Sequence, residues 1–264
     1  MYDIDTKDGK YIFYVEKEEF NLDSSFNCGQ IYNYTKETMT SGHSYGIYLK
    51  RDYVTLTQIG DIIYTNIKKN NKGVLDNLVH FLDLDTDYKL FYLNLDNNLS
   101  NSSSVYKNNG IHIFRQNFCD IIIFLLMSDD ESKNRLFDIL TKYSSYTENK
   151  AVKLPKYSVF IDELSKEKCK TYKETVRILK IVDKYKEFLD LSSSEMILPF
   201  LKENNFSKEL ISKIKLYCYH DLEVLPKDKI LMDYVKKFPI NFDKYDIPLG
   251  LIYSNIRLFT NILL

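Results

Sequence analysis

The sequence predicts an α+β protein, with an N-terminal antiparallel β-sheet domain packed on a larger all-helical domain. Three observations carry this reading. Seven of the eight glycines lie between Gly9 and Gly110, and all five prolines follow residue 150; glycine punctuates hairpins, so the two halves differ in architecture. Short β-rich runs fill residues 11–68. From Gly73 onward the apolar period changes from that of strands to that of helices.

The elements follow in order. Tyr11–Val15 is aromatic and β-branched, and Gly46–Leu49, Tyr53–Gln58 and Asp61–Ile67 alternate or are β-rich, separated by turn residues at Gly42, Arg51–Asp52 and Gly60. Such short connections suit antiparallel pairing. Val74, Leu75, Leu78, Phe81 and Leu82 fall on one helical face. The Asn/Ser-rich stretch Asn94–Gly110 reads as a loop or an eroded helix. Asn117–Met127 is a buried helix, and Ser128-Asp-Asp-Glu131 opens the next one as an N-cap sequence. Lys170–Leu189 and Ser194–Glu203 are amphipathic. Ser207–Tyr219 follows with Ser207 as its cap, and Pro226 stands near the start of a helix that runs to Phe238. Domain boundaries are expected at 1–72 and 73–264.

Composition excludes several function classes. At 264 residues with 44% apolar and 28% charged side chains, the chain is long and apolar enough for a buried core. The glycine-free stretch 111–249 leaves no room for a P-loop or a dinucleotide fingerprint. The longest wholly apolar run, Ile121–Met127, is too short to span a bilayer, and the N-terminus has no apolar leader, so a cytoplasmic protein without membrane contact is expected. Cys28, Cys119, Cys169 and Cys218 are widely spaced and the four histidines lack metal-ligand spacing, so neither disulfides nor a metal or other cofactor is expected. Residues 1–110 hold 11 Lys/Arg against 15 Asp/Glu, and the rest 25 against 22. If a polyanion binds, the second half is the better surface.

Four segments together resemble the 8-oxoguanine DNA glycosylases of the helix-hairpin-helix superfamily. Phe20-Asn-Leu-Asp-Ser-Ser-Phe-Asn-Cys-Gly-Gln30 is similar to the motif that opens that family's first domain, and Val54-Thr-Leu-Thr-Gln58 to one of its strands. Phe81-Leu-Asp-Leu-Asp-Thr-Asp-Tyr88 is similar to its junction between domains, and Gly110-Ile-His-Ile-Phe-Arg-Gln-Asn117 to the segment that follows. The resemblance is good over about 20–140, weak over 141–190 and partial beyond. It implies a TATA-binding-protein-like sheet domain on a helix-hairpin-helix glycosylase domain, with the hairpin near 194–220. It also implies base excision: an oxidised guanine is flipped from duplex DNA, a lysine attacks the sugar C1′, an aspartate stabilises the developing charge, and the Schiff base permits strand scission.

Residue by residue, the resemblance implies that Gly29 and Gln30 contact the damaged base and that Arg135 reads the opposite cytosine. Asp228, in Leu225-Pro-Lys-Asp228, matches the catalytic aspartate; a plain helix cap is the alternative. The catalytic lysine is expected nineteen residues earlier, where this chain has Glu209, with Lys208 beside it. Lys208 is the candidate nucleophile, although one step along a helix turns a side chain by about 100°. The hairpin reads Asn204-Asn-Phe-Ser-Lys-Glu209 without glycine, and Asp130-Glu131-Ser132 stands where the family has three asparagines. The expected partner is double-stranded DNA bound by a monomer. The alternative is a family member without catalysis that binds damaged DNA or another protein.

Overall fold

The computed structural model describes residues 2–91, 110–144, 151–167, 169–240, 242 and 248–263. The loop expected over 94–109 lies outside them. Six antiparallel strands form one sheet in the order β1-β2-β6-β5-β4-β3: β1 Asp3–Lys7, β2 Lys10–Tyr14, β3 Thr35–Met39, β4 Gly42–Leu49, β5 Asp52–Ile59 and β6 Ile62–Lys68. The sequence reading found the four inner strands and missed the edges. Every residue of β1 is exposed, so it carries no apolar alternation to read.

Helices α1 (Leu22–Asn27) and α2 (Lys72–Leu82) cover one face of the sheet. Phe20, Leu22 and Phe26 share a core with Tyr45, Leu56, Ile63, Leu75, Leu78 and Phe114. The sheet's core therefore includes α2 and reaches Phe114, past residue 72. The second core is helical and built on α3 (Phe118–Leu126), whose buried Ile121, Ile122 and Ile123 share it with residues of α4 (Asp130–Ser144), α5 (Tyr157–Ser165) and α6 (Lys170–Lys184). Then come α7 (Lys186–Leu191), α8 (Ser194–Glu203), α9 (Lys208–Tyr219), α10 (Lys229–Lys237) and α11 (Leu249–Leu263). The expected helix 170–189 is broken at Tyr185, whose φ of −111° and ψ of 20° leave the helical region, and Leu189 is buried beyond the break.

The motif segments join the two cores. Gly110 adopts a left-handed φ of +62°, and a Cβ there would meet the Asn21 backbone nitrogen at 2.8 Å. Its carbonyl accepts the Asn21 N–H. Asp83 ends α2 in the left-handed region (φ 53°) with a fully buried carboxylate. Its oxygens accept from Arg115 Nε (2.7 Å), Thr86 (2.9 Å) and Tyr88 (2.7 Å), and meet His220 Nε2 at 2.5 Å. Arg115 and His220 come from the helical half, so this one carboxylate ties the domains together. Among the described residues no helix is long and apolar enough to cross a membrane.

Candidate functional site

Helix α9 sets Glu209, Lys213 and Tyr217 at four-residue intervals, neighbours on one face. Ser207 caps it, accepting the Leu210 N–H at 3.1 Å. Leu210, Ile211, Ile214 and Leu216 anchor it in the helical core, and that packing carries Lys213 inside, to 5% exposure. A charge so placed must be paired. Lys213 Nζ lies 2.9 Å from Glu209 Oε1 and 3.3 Å from Asp228 Oδ2.

Asp228 is the N-cap of α10, its Oδ1 accepting the Leu231 N–H at 3.0 Å. Its other oxygen accepts from the Tyr253 hydroxyl at 2.6 Å and meets Arg257 Nη1 at 3.4 Å. Burial raises the Asp228 carboxyl, but the Tyr253 hydroxyl, Lys213, the Leu231 N–H and Arg257 together outweigh it and hold the group below its ordinary value. The carboxylate is therefore ionised while it caps α10.

Tyr253 and Arg257 lie one turn apart on α11. Arg257 Nη1 donates to the Tyr253 hydroxyl at 2.9 Å, Nη2 to the Tyr32 hydroxyl at 3.1 Å and Nε to the Cys28 carbonyl at 3.2 Å. Gly29 follows with a left-handed φ of +77°, and a Cβ there would fall 2.6 Å from Arg257 Nη2. The guanidinium thus rests on backbone that only glycine leaves bare. The Tyr217 hydroxyl is buried with no hydrogen-bond partner among the described residues and lies in the field of Arg257 and Asp228. Burial raises its pKa, so it remains a neutral O–H donor.

The cluster is an amine between two carboxylates, one buried and one, Glu209, 49% exposed. It contains the parts needed for nucleophilic attack on an electrophilic carbon: a primary amine, proton acceptors within reach, and a fixed negative charge. A separate cavity of about 440 Å³ shares Tyr32 with this cluster but is not lined by Lys213, Asp228 or Gly29. Among the described residues no group of His, Cys, Asp and Glu could hold a metal ion.

Residues 12–122 match the family model of the 8-oxoguanine DNA glycosylase N-terminal domain. This stretch is thus a domain of the 8-oxoguanine DNA glycosylase type. Solved structures extend the likeness over the whole chain. MBOgg1 in complex with a low affinity DNA ligand matches with a TM-score of 0.75 at 18% identity, covering 100% of this chain and 99% of that one. The Clostridium acetobutylicum 8-oxoguanine glycosylase/lyase, in complex with duplex DNA containing cytosine opposite 8-oxoG, matches with 0.72 at 15% identity, covering 99% and 98%. Its apo-form gives 0.72 at 16%, covering 98% and 99%. The 8-oxoguanine glycosylase fold therefore includes the helical half. No curated protein matches the chain by sequence.

Within this family frame, the expected site residues divide. Gly29 and Asp228 come together, bridged by Arg257. Gln30 is buried and faces the motif junction: its Nε2 donates to the carbonyls of Ser25 (2.8 Å) and His112 (2.7 Å), and its Oε1 accepts the Phe114 N–H at 2.7 Å. Arg135 lies on α4, paired with Glu163 at 3.3 Å and Glu167 at 3.1 Å. Lys208 is exposed at the first turn of α9, and the cation beside Asp228 is Lys213. In the hairpin, Asn205 takes a left-handed φ of 56°, and Arg177 of α6 donates to the carbonyls of Asn204 (2.8 Å) and Asn205 (3.2 Å). At the start of α4 the Asp129 carboxylate accepts the Ser132 N–H, the role of a cap.

Sequence reasoning missed Lys213, Tyr253 and Arg257. Lys213 had a readable pattern, since it interrupts the apolar stripe of Leu210, Ile214 and Tyr217 and lies four residues after an acid. Arg257 sits in the mostly apolar stretch 249–259, where a cation requires a buried anion. Its anion, Asp228, was legible as a motif residue, but no pattern linked the two.

Proposed function

We propose that this protein is a DNA-repair enzyme that attacks the sugar C1′ of a nucleotide flipped out of duplex DNA, with Lys213 as the nucleophile. The observation that carries the reading is the position of the Lys213 amine, between Asp228 at 3.3 Å and Glu209 at 2.9 Å. The ungapped family register puts Glu209 where a lysine is expected, and Lys213 is one helical turn further on the same face. Four residues move a Cα by about 6 Å along the axis with a net rotation of about 40°, so a flexible lysine side chain still delivers its amine to the aspartate. Glu209 takes the proton that the amine must shed before attack, and the Asp228 carboxylate stabilises the positive charge that develops at the sugar. Two sugars suit such an amine: a nucleoside of oxidised guanine, as the family resemblance suggests, and the base-free sugar left after a base has gone. DNA as partner is supported by the family and by structural neighbours that are complexes with DNA.

Borohydride added during incubation with duplexes carrying 8-oxoguanine or an abasic site tests the reading. A covalent protein–DNA adduct is expected, lost in Lys213→Arg, whose guanidinium keeps the charge but cannot form an imine, and kept in Lys208→Ala. An adduct that survives in Lys213→Arg overturns the assignment of the nucleophile. Absence of any adduct, together with salt-dependent binding of duplex, supports the second reading, a DNA-binding protein without chemistry.

A further inference from the structure

We infer that the cavity at the junction of the sheet and the helices is a second ligand-binding site, and that its ligand class is a small organic monocation, one protonated amine on a flat apolar body. It does not rest on the Lys213 reading, since neither Lys213 nor Asp228 lines it. At about 440 Å³ the cavity falls in the size range of small-molecule sites, about 300–1,000 Å³. Its apolar walls include Phe118, Leu189 and the rings of Tyr32 and Phe124, which stack at 6.0 Å with their planes 8° apart. Such walls suit a flat apolar body, and their ring faces favour a neighbouring cation.

The charges decide the ligand's sign. Asp120 of α3 and Asp190 of α7 both line the cavity and both remain accessible to solvent. Among the described residues the Asp120 carboxylate accepts no hydrogen bond, and neither acid has a basic side chain within 4 Å. Burial raises the Asp120 carboxyl, the charge of Asp190 raises it further, and Lys186 opposes the two without cancelling them. Asp120 is not needed as a helix cap, because Asn117 Oδ1 already accepts the Cys119 and Asp120 N–H groups at 2.9 and 3.2 Å. Asp190 lies in the last turn of α7, where an acid opposes the helix dipole. The bases on the opposite wall are otherwise engaged. Lys50 Nζ donates to Asn77 Oδ1 at 3.2 Å and Arg115 Nε to Asp83 at 2.7 Å, while burial and the charge of Arg115 hold His80 below its ordinary value and so neutral. Two carboxylates against the single ammonium of Lys186 leave one negative charge, which a monocation complements.

The test titrates the full chain with tyramine, a protonated amine on a phenol ring, and reads amide NMR shifts. Parallel titrations use its neutral analogue para-ethylphenol, its anionic analogue para-hydroxyphenylacetate, and the trication spermidine. The expected result is saturable binding of tyramine with shifts at residues 117–121 and 189–192, and no saturation by the neutral or anionic analogue. Binding should weaken about tenfold in Asp120→Asn. That variant removes a like-charge contact and no hydrogen bond, so it is expected to melt no lower than the wild type, and Asp190→Asn reads the second charge independently. Binding of para-ethylphenol as tight as that of tyramine, or tyramine affinity unchanged in both variants, overturns the cationic ligand. Spermidine binding more tightly than tyramine overturns the single charge. Shifts confined to other residues, or no saturation at millimolar tyramine, overturn the site itself.

Discussion

Two buried aspartates mark helix ends in this molecule, and their surroundings differ in one decisive way. Asp83 closes α2 and Asp228 opens α10; each is shielded from solvent, each accepts from a tyrosine hydroxyl, and each faces two basic side chains. In both, burial raises the carboxyl and the surrounding donors and cations more than offset it. Around Asp83 the partners are an arginine and a histidine that lock two domains together. Around Asp228 one partner is a primary amine, linked through Glu209 to solvent. On the proposed function, burial and charge pairing therefore do not distinguish an anchor from a reactive centre; a primary amine paired with a half-exposed acid does.

Removing each charge sharpens the comparison. Asp228→Asn leaves Lys213 and Arg257 facing each other with side-chain exposures of 6% and 7%, and the loss of a buried pairing partner is expected to cost about 3–5 kcal/mol, read as a lowered urea midpoint. Asp83→Asn is expected to cost less, about 1–3 kcal/mol, because Arg115 is 31% exposed and can turn to water and because asparagine tolerates the left-handed backbone at this position. Equal losses would break the distinction between the two sites.

Acid narrows that difference in a predictable direction. The folded-state pKa of Asp228 lies below its ordinary value of 3.8, so the unfolded chain takes up the proton first as pH falls. The carboxylate's contribution to stability is thus complete above the unfolded value and is lost as pH drops through the folded one. Urea melts of the wild type and Asp228→Asn should differ by a constant amount above about pH 5 and converge below about pH 4. A gap that widens on acidification would mean that Asp228 is protonated in the folded protein.

The fold was legible because its determinants are local and repetitive. Glycine turns and β-rich alternation marked the inner strands, and the helical period marked α2, α3, α8 and α9. Edge strands β1 and β3 carried too little buried pattern to register. The site was legible only in its motif residues, Gly29 and Asp228. Lys213 lay outside every motif because burial of an amine depends on which face of α9 meets the core, and that face is set by tertiary packing. Arg257 was further still from reach, since its contact with Cys28 joins residues 229 apart in sequence. Gln30 shows the converse: its motif position was legible, but the hydrogen bonds that fix its direction come from residues 112–114, which no local pattern links to it.

Gly29 tests how tightly the Asp228 centre is built. The residue sits at φ +77°, where an L side chain costs about 1–2 kcal/mol, and its Cβ would press on Arg257 Nη2 from 2.6 Å. Arg257 is the flexible end of a side chain, but it is enclosed, so the guanidinium can yield only by lengthening its bonds to the Cys28 carbonyl and Tyr32. Gly29→Ala is therefore expected to destabilise by about 2–3 kcal/mol, more than the backbone strain alone, with folding otherwise intact. Gly9→Ala serves as the control, since it has the same backbone hand (φ +73°) and nothing within 4 Å of its Cβ. The backbone strain is common to both positions, so any excess loss at Gly29 measures the contact with Arg257. A loss no larger than that at Gly9 would show that the guanidinium moves aside freely.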